Sequence, residues 1–383
     1  MSQLSKSMPL GDRFYSSLKG DRVIWMIVAL LSLFSMLAVY SSTGTISYKY
    51  RGGNTEAYII KHALIMIMAW GLMYFTCLIH YVKFMKWARY ILIVAVVLLL
   101  STLIFGVNLN DAKRWVTLPI IHISIQSSDV AKVGLIAYLA QTIASKQEYI
   151  KDFKEAFLPI IIPVLVICGL IAPANLSSAI LLFLTSLLIM FMGRVDIKYI
   201  GLLILLGIVL FSVLIVIGTF IPELVRLDTW ISRLRDFMGD SDSVYQVQQS
   251  QIAIAKGGLF GVGPGNSLQR NYLPHPYSDF IYAIIVEEYG LFGGGFIIFL
   301  YIMLLVRCVR LATLSPKAFG TMLAIGLSLS LVLQALFNMA VSVHLVPVTG
   351  LNLPMVSMGG TSLIITAIEL GMILSVSKNI ESS

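Results

Sequence analysis

The chain has 383 residues, 58% of them hydrophobic and 12% charged, with a formal net charge of +8 and a mean hydropathy of +0.89. So little charge cannot cover the surface of a water-soluble protein of this length, and apolar stretches recur along nearly the whole chain, as in a polytopic membrane protein. The basic excess does not point to nucleic acid, because Lys and Arg punctuate the apolar runs instead of gathering on one polar domain.

A helix needs about 20 apolar residues to cross the hydrocarbon of a bilayer. On that measure spans are predicted at 23–42, 57–79, 87–107, 129–145, 157–172, 175–193, 198–220, 278–306, 318–341 and 358–377. The first run is too long for a signal-peptide core and no small-residue cleavage site follows it, so the N-terminus is expected to be retained. Only Ala172–Pro173–Ala174 separates the fifth run from the sixth; two helices joined by a tight turn fit better than one over-long helix, with a proline kink as the alternative. The fold class expected is therefore all-α: one integral-membrane domain over 1–383, with about ten transmembrane helices.

Charge orients these spans. Lys6, Arg13, Lys19 and Arg22 precede the first. Lys83, Lys86 and Arg89, then Lys146, Lys151 and Lys154, then Arg194 and Lys198, then Arg307, Arg310 and Lys317, and finally Lys378 fall on the same side. The opposite short loops hold only Lys49, Arg51, Lys113 and Arg114. The positive-inside rule puts both termini, including segment 1–22, in the cytoplasm. The segment 221–277 is then one long extracytoplasmic loop between helices 7 and 8, without obvious regular structure. Its aromatic and apolar residues (Trp230, Phe237, Tyr245, Phe260, Tyr272) imply that it folds back onto the membrane surface.

Charges at membrane depth are costly and usually functional. Asp129 and Lys132 stand three apart at the start of the fourth span, on one helix face where they can pair; a simple helix cap is the bland reading of Asp129 after Ser127–Ser128. Asp279 marks the outer end of the eighth span, with Glu287 and Glu288 two turns deeper; it too could be a cap. The run from Gly257 to Gly265 could cradle a phosphate, but no strand precedes it and no helix follows, so a tightly turned loop needing positive φ is the better reading. Gly359–Gly360–Thr361–Ser362 opens the last span, either for close helix packing or for a backbone contact with a lipid headgroup. Cys77, Cys168 and Cys308 read as small packing residues, and the scattered histidines have no metal-ligand spacing.

Several of these stretches resemble one family. Arg114–Trp115, then Gln126–Ser127–Ser128–Asp129 with Lys132, are similar to the arginine–tryptophan and glutamine–proline–serine–glutamate motifs of the SEDS family. The segment 245–250, with Gln249, then Gly265–Asn266–Ser267 through Tyr272–Leu273–Pro274, Ser278–Asp279–Phe280–Ile281 and Glu287–Glu288–Tyr289–Gly290, resembles its long outward loop. The stretch 347–354 and Ser357–Met358–Gly359–Gly360–Thr361–Ser362 resemble its closing signature, in wording nearer the division members than the elongation members. There are departures: Ser127 replaces a proline, Asp129 a glutamate, His275 a glutamate, Tyr277 a histidine and Asn175 an aspartate.

The resemblance implies a peptidoglycan glycosyltransferase that polymerises lipid II at the outer face of the bacterial inner membrane, in the division septum. It implies Asp279 as catalytic base, and Lys132, Asp129, Arg114, Trp115, Gln249 and Glu287 as substrate-binding residues. A divalent cation such as Mg²⁺ is a candidate assistant, and no cofactor is certain. The implied partners are a class B penicillin-binding protein transpeptidase and other divisome membrane proteins. An elongation polymerase, a lipid II flippase and a non-catalytic scaffold remain as alternatives.

Overall fold

The computed structural model describes residues 19–381 apart from 52–54, 106, 110–111, 118–123, 222–224, 240–244 and 275. The expectations for residues 1–18 and for His275 therefore lie outside the described residues.

Ten helices correspond to the predicted spans: α1 (Arg22–Arg51), α2 (Thr55–Leu78), α3 (Tyr81–Phe105), α4 (Ser127–Ser145), α5 (Leu158–Ile171), α6 (Leu176–Met192), α7 (Ile197–Phe220), α10 (Ile281–Leu314), α11 (Ala318–Ser342) and α12 (Thr361–Glu381). Two further helices, α8 (Leu227–Met238) and α9 (Tyr245–Gly257), lie between α7 and α10. Among the described residues eight helices are long and apolar enough to cross a membrane, and α6 is a shorter apolar one. The remaining member, α4, carries Asp129 and Lys132 and buries most of its length among its neighbours. Its polar residues thus face protein, the arrangement that makes such residues tolerable at membrane depth.

Local chemistry sets the boundaries. Asp21 starts α1 by accepting the N–H groups of Val23 (2.9 Å) and Ile24 (3.1 Å) on Oδ1, as an N-cap should. Its Oδ2 also takes Arg307 Nε at 2.7 Å and Nη2 at 2.6 Å, tying the start of α1 to α10. The predicted turn at 172–174 is present: Asn175 N–H donates to the Ile171 carbonyl at 2.8 Å, and Asn175 Oδ1 accepts Ser178 N–H as the cap of α6.

The structure adds what the all-α expectation did not contain, a small antiparallel sheet of β1 (Val107–Leu109), β2 (Ala112–Thr117) and β3 (Ser124–Gln126) in the order β1-β2-β3. It closes the link from α3 to α4, and Trp115 pairs with Gln126 across it. Nor is 221–277 irregular. Leu227, Trp230, Ile231 and Leu234 give α8 an apolar face at helical spacing, and Trp230 stacks on Phe211 of α7 with ring centroids 5.8 Å apart.

One helix is broken. At Gly290, α10 takes φ 69° and ψ −171°, which only glycine adopts without strain. A break frees backbone carbonyls that must find donors away from water. They do: the carbonyls of Glu287 and Glu288 accept the N–H groups of Val262 (2.9 Å) and Gly263 (3.1 Å), while Leu291 N–H reaches the Gly258 carbonyl at 2.9 Å. The glycine-rich loop is therefore sealed against α10. Its turns carry the predicted positive φ, 80° at Gly261 and 95° at Gly263.

Candidate active site at the loop end of the bundle

Asp279 sits half-buried two residues before α10. It is not a helix cap, since the cap position of α10 is Phe280 and no side chain bonds there. Ser278 Oγ donates to its Oδ1 at 3.1 Å. Its backbone carbonyl accepts Asn338 Nδ2 of α11 at 2.9 Å, and the same amide donates to the Leu351 carbonyl at 2.7 Å. Asn338 thereby fastens Asp279 to the strap between α11 and α12. Ser357 Oγ adds a tie, donating to the Ser278 carbonyl at 2.7 Å.

Gly350 of that strap has φ +67°, and a methyl added to it would lie 3.8 Å from Asp279 Oδ2 and 4.0 Å from Arg233 Nη2. A carboxylate and a guanidinium thus face one glycine, with Arg233 Nη1 also donating to the Thr349 carbonyl at 3.3 Å. Burial lowers the Arg233 pKa from its ordinary value, Arg226 adds to that, and Asp279 opposes it. Arg233 on α8 was not among the expected site residues.

Two spaces meet at this strap. An apolar groove of about 490 Å³ runs between α6, α7 and α8, walled by Ile180, Phe211, Trp230 and Val348, with Arg226 and Arg233 at its edge. That volume lies within the range of small-molecule sites. A small polar cavity lies on the continuation of the strap, lined by Asp129, Lys132, Gln334, Gly350, Asn352 and Ser362.

In this cavity Lys132 and Asp129 share a face of α4 as predicted, but the ion pair of Lys132 is with Glu369 of α12, Nζ to Oε1 2.9 Å. Nζ also donates to Gln334 Oε1 at 3.1 Å. Asp129 is bonded by the Ser362 side chain and feels the Lys132 charge. It is not a cap: α4 begins at Ser127 after Gln126, with no side-chain cap bond. Glu369 was missed in the sequence, although an acid in the middle of an apolar span is itself the signal.

The other expected site residues fall elsewhere. Trp115 is half-buried in β2 beside β3; Arg114 is in β2, with its side chain outside the described residues. Gln249 is half-buried on α9 and does not line the cavity or the groove. Glu287 is fully engaged by the loop: it accepts the Ser267 hydroxyl, Leu268 N–H at 3.1 Å and Gln269 N–H at 3.3 Å. Glu288 accepts the hydroxyl of Ser41, which also receives Arg270 Nη1 at 3.1 Å. The N–H groups of Val262 and Gly263 are taken by α10, so they are not free to cradle a phosphate. Among the described residues no three His, Cys, Asp or Glu side chains converge on a possible metal position.

Comparison with known proteins agrees with this architecture. A family model described as "Cell cycle protein", covering FtsW, RodA and SpoVE, matches residues 21–382. The probable peptidoglycan glycosyltransferase FtsW of Bacillus subtilis (strain 168) is 32% identical over 371 residues, covering 95% of this chain and 92% of its own. Stage V sporulation protein E of the same organism is 30% identical over 367 residues, covering 94% and 97%. In fold, the chain resembles one in a solved peptidoglycan synthase complex, with TM-score 0.73, 21% identity and coverage of 95% and 99%. It also resembles the rod shape determining protein RodA of Thermus thermophilus, with TM-score 0.68, 20% identity and coverage of 95% and 98%.

Proposed function

The chain belongs to the FtsW/RodA/SpoVE family, the SEDS family, as an FtsW-like multi-pass membrane protein, and from that premise we propose that it is a peptidoglycan glycosyltransferase polymerising lipid II. The face bearing 221–277 is the outer one, the membrane is the bacterial cytoplasmic membrane, and the work is septal wall synthesis beside a class B penicillin-binding protein transpeptidase and other divisome proteins. The observation that carries the reading is that Asp279 and Arg233 both face Gly350, on the strap whose residues line the apolar groove on one side and the polar cavity on the other. An isoprenoid diphosphate needs such a place: an apolar wall for its chain, cations for its head, and a base beside them.

The chemistry is a single inverting displacement. The 4-hydroxyl of the acceptor sugar attacks the anomeric carbon of the donor, the α bond to the diphosphate breaks, and a β glycosidic bond forms. Undecaprenyl diphosphate leaves with the bonding electrons. Asp279 accepts the hydroxyl proton, a contribution of roughly 10²- to 10⁴-fold. Arg233 and Lys132 meet the growing charge on the departing diphosphate through charge-assisted hydrogen bonds.

The test is polymerisation of labelled lipid II by the purified protein with its transpeptidase, beside an Asp279→Asn variant. A ladder of glycan products that disappears in the variant supports the assignment. A folded protein that binds lipid II without making polymer overturns it and favours transport.

A further inference from the structure

We infer that Glu369 is a positioning residue for the reaction: it holds the Lys132 ammonium at the cavity wall, aimed where a diphosphate oxygen would meet it. This rests on the polymerase reading and on Lys132 as a diphosphate ligand.

Glu369 is fully buried in α12, in the apolar run Ile365–Thr366–Ala367–Ile368 before it and Leu370 after it. A carboxylate in such a place is expensive and needs a partner. Its partner is Lys132, 2.9 Å away, and the exposures of the two side chains are unequal, 11% for Lys132 and 0% for Glu369. Lys132, Asp129 and Gln334 line the cavity, and Glu369 does not. A ligand in the cavity would therefore touch the lysine while Glu369 stands behind it.

Orientation is over-determined from a third helix. Gln334 of α11 donates its amide to the Asn352 carbonyl at 2.9 Å. That bond turns Oε1 toward Lys132, where it accepts at 3.1 Å. An ammonium has three donors. Gln334 takes one as a hydrogen bond, and Glu369 faces the ammonium as an ion pair; on the cavity side Asp129 Oδ2, like both Glu369 oxygens, has no hydrogen-bond partner among the described residues. Three helices thus converge to fix one charge, with the countercharge at its back. An amide at 369 would keep the shape of the side chain but remove the countercharge.

The role separates from plain structural support in a double-variant cycle. Steady-state polymerisation of lipid II is measured with the full chain and its transpeptidase for the wild type, Glu369→Gln, Glu369→Asp, Lys132→Gln and the double Lys132→Gln/Glu369→Gln, with thermal unfolding of each. Glu369→Gln should lower kcat/KM by roughly ten- to a hundred-fold, mostly in kcat, because charge grows on the leaving group. Glu369→Asp, which keeps the charge, should recover most of that loss. The double variant should be no slower than Lys132→Gln, since residues acting as a unit are non-additive. Glu369→Gln at wild-type rate, or losses that multiply in the double variant, would overturn the inference while leaving the polymerase reading intact. If Glu369→Gln alone does not fold, the double variant measured against Lys132→Gln decides: equal kcat/KM supports the role, and a further loss overturns it. A wild type that makes no polymer refutes the functional reading itself.

Discussion

Asn338 donates its side-chain amide to the backbone carbonyl of Asp279 at 2.9 Å, so the proposed base is held by a helix that carries none of the reacting groups beside it. The same nitrogen serves the Leu351 carbonyl. A base that must meet a hydroxyl within hydrogen-bond reach depends on such fastening. Asn338→Leu leaves two acceptors without their donor in a buried place. It should cost about 1–3 kcal/mol per lost partner, read as a lower unfolding temperature in detergent. Polymerisation should fall further than the folded fraction does, because Asp279 is released from the strap. Activity that tracks the folded fraction alone would mean that the bond serves stability only.

Arg233 offers a second handle. It lies at the edge of the apolar groove, faces Gly350 together with Asp279, and sits outside the spanning helices. Arg233→Ala should lower kcat/KM for lipid II by roughly 10²-fold, the scale for removing one preorganised donor to developing charge. Arg233→Lys should recover only part of it, because an ammonium cannot both hold the Thr349 carbonyl and present a second fork toward the groove. A lysine variant with wild-type kcat/KM would show that a point charge suffices.

Much of this architecture could be read from the chain. The ten apolar runs each became a helix, and the tight turn at 172–174 followed from run length alone. Positive φ in the glycine-rich stretch followed from its composition. What escaped was encoded over long distance. Glu369 could be flagged as an acid in a span, but its pairing with Lys132 depends on two helices far apart in sequence being neighbours. The break at Gly290 makes sense only with the glycine loop bound to the freed carbonyls. The helical face of α8 was present in Leu227, Trp230, Ile231 and Leu234, yet the surrounding polar residues made the stretch look like loop. Lys132 and Asp129 were legible as neighbours on one helix face; which carboxylate the lysine pairs with was not, because spacing on one helix says nothing of another.

Glu287 separates two readings of the buried Glu287–Glu288 pair by experiment. If its job is to anchor the loop through Ser267, Leu268 and Gln269, Glu287→Gln should destabilise the 257–273 segment. A hydrogen bond to a charged group contributes about 1.5–3 kcal/mol, so limited proteolysis of that segment should accelerate about ten-fold or more. A direct substrate contact predicts instead a raised KM with proteolysis unchanged.

The glycines of the loop give the sharpest contrast, because similar backbone angles meet different surroundings. A methyl on Gly261 would lie 2.1 Å from the Glu288 carbonyl oxygen, and one on Gly257 2.1 Å from that of Val286, whereas Gly258 and Gly265 have nothing within 4 Å. At Gly258, with φ +51°, alanine bears only the strain of left-handed backbone, about 1–2 kcal/mol. At Gly261 the added carbon collides with main chain that cannot move without opening the Val262 and Gly263 bonds to α10. Gly261→Ala should therefore unseat the loop, expose the carbonyls freed at Gly290 and abolish polymerisation. Gly258→Ala should remain active with a slightly lower unfolding temperature. Equal behaviour of the two variants would mean that the loop does not seal the break in α10, and that the helix is held open by other contacts.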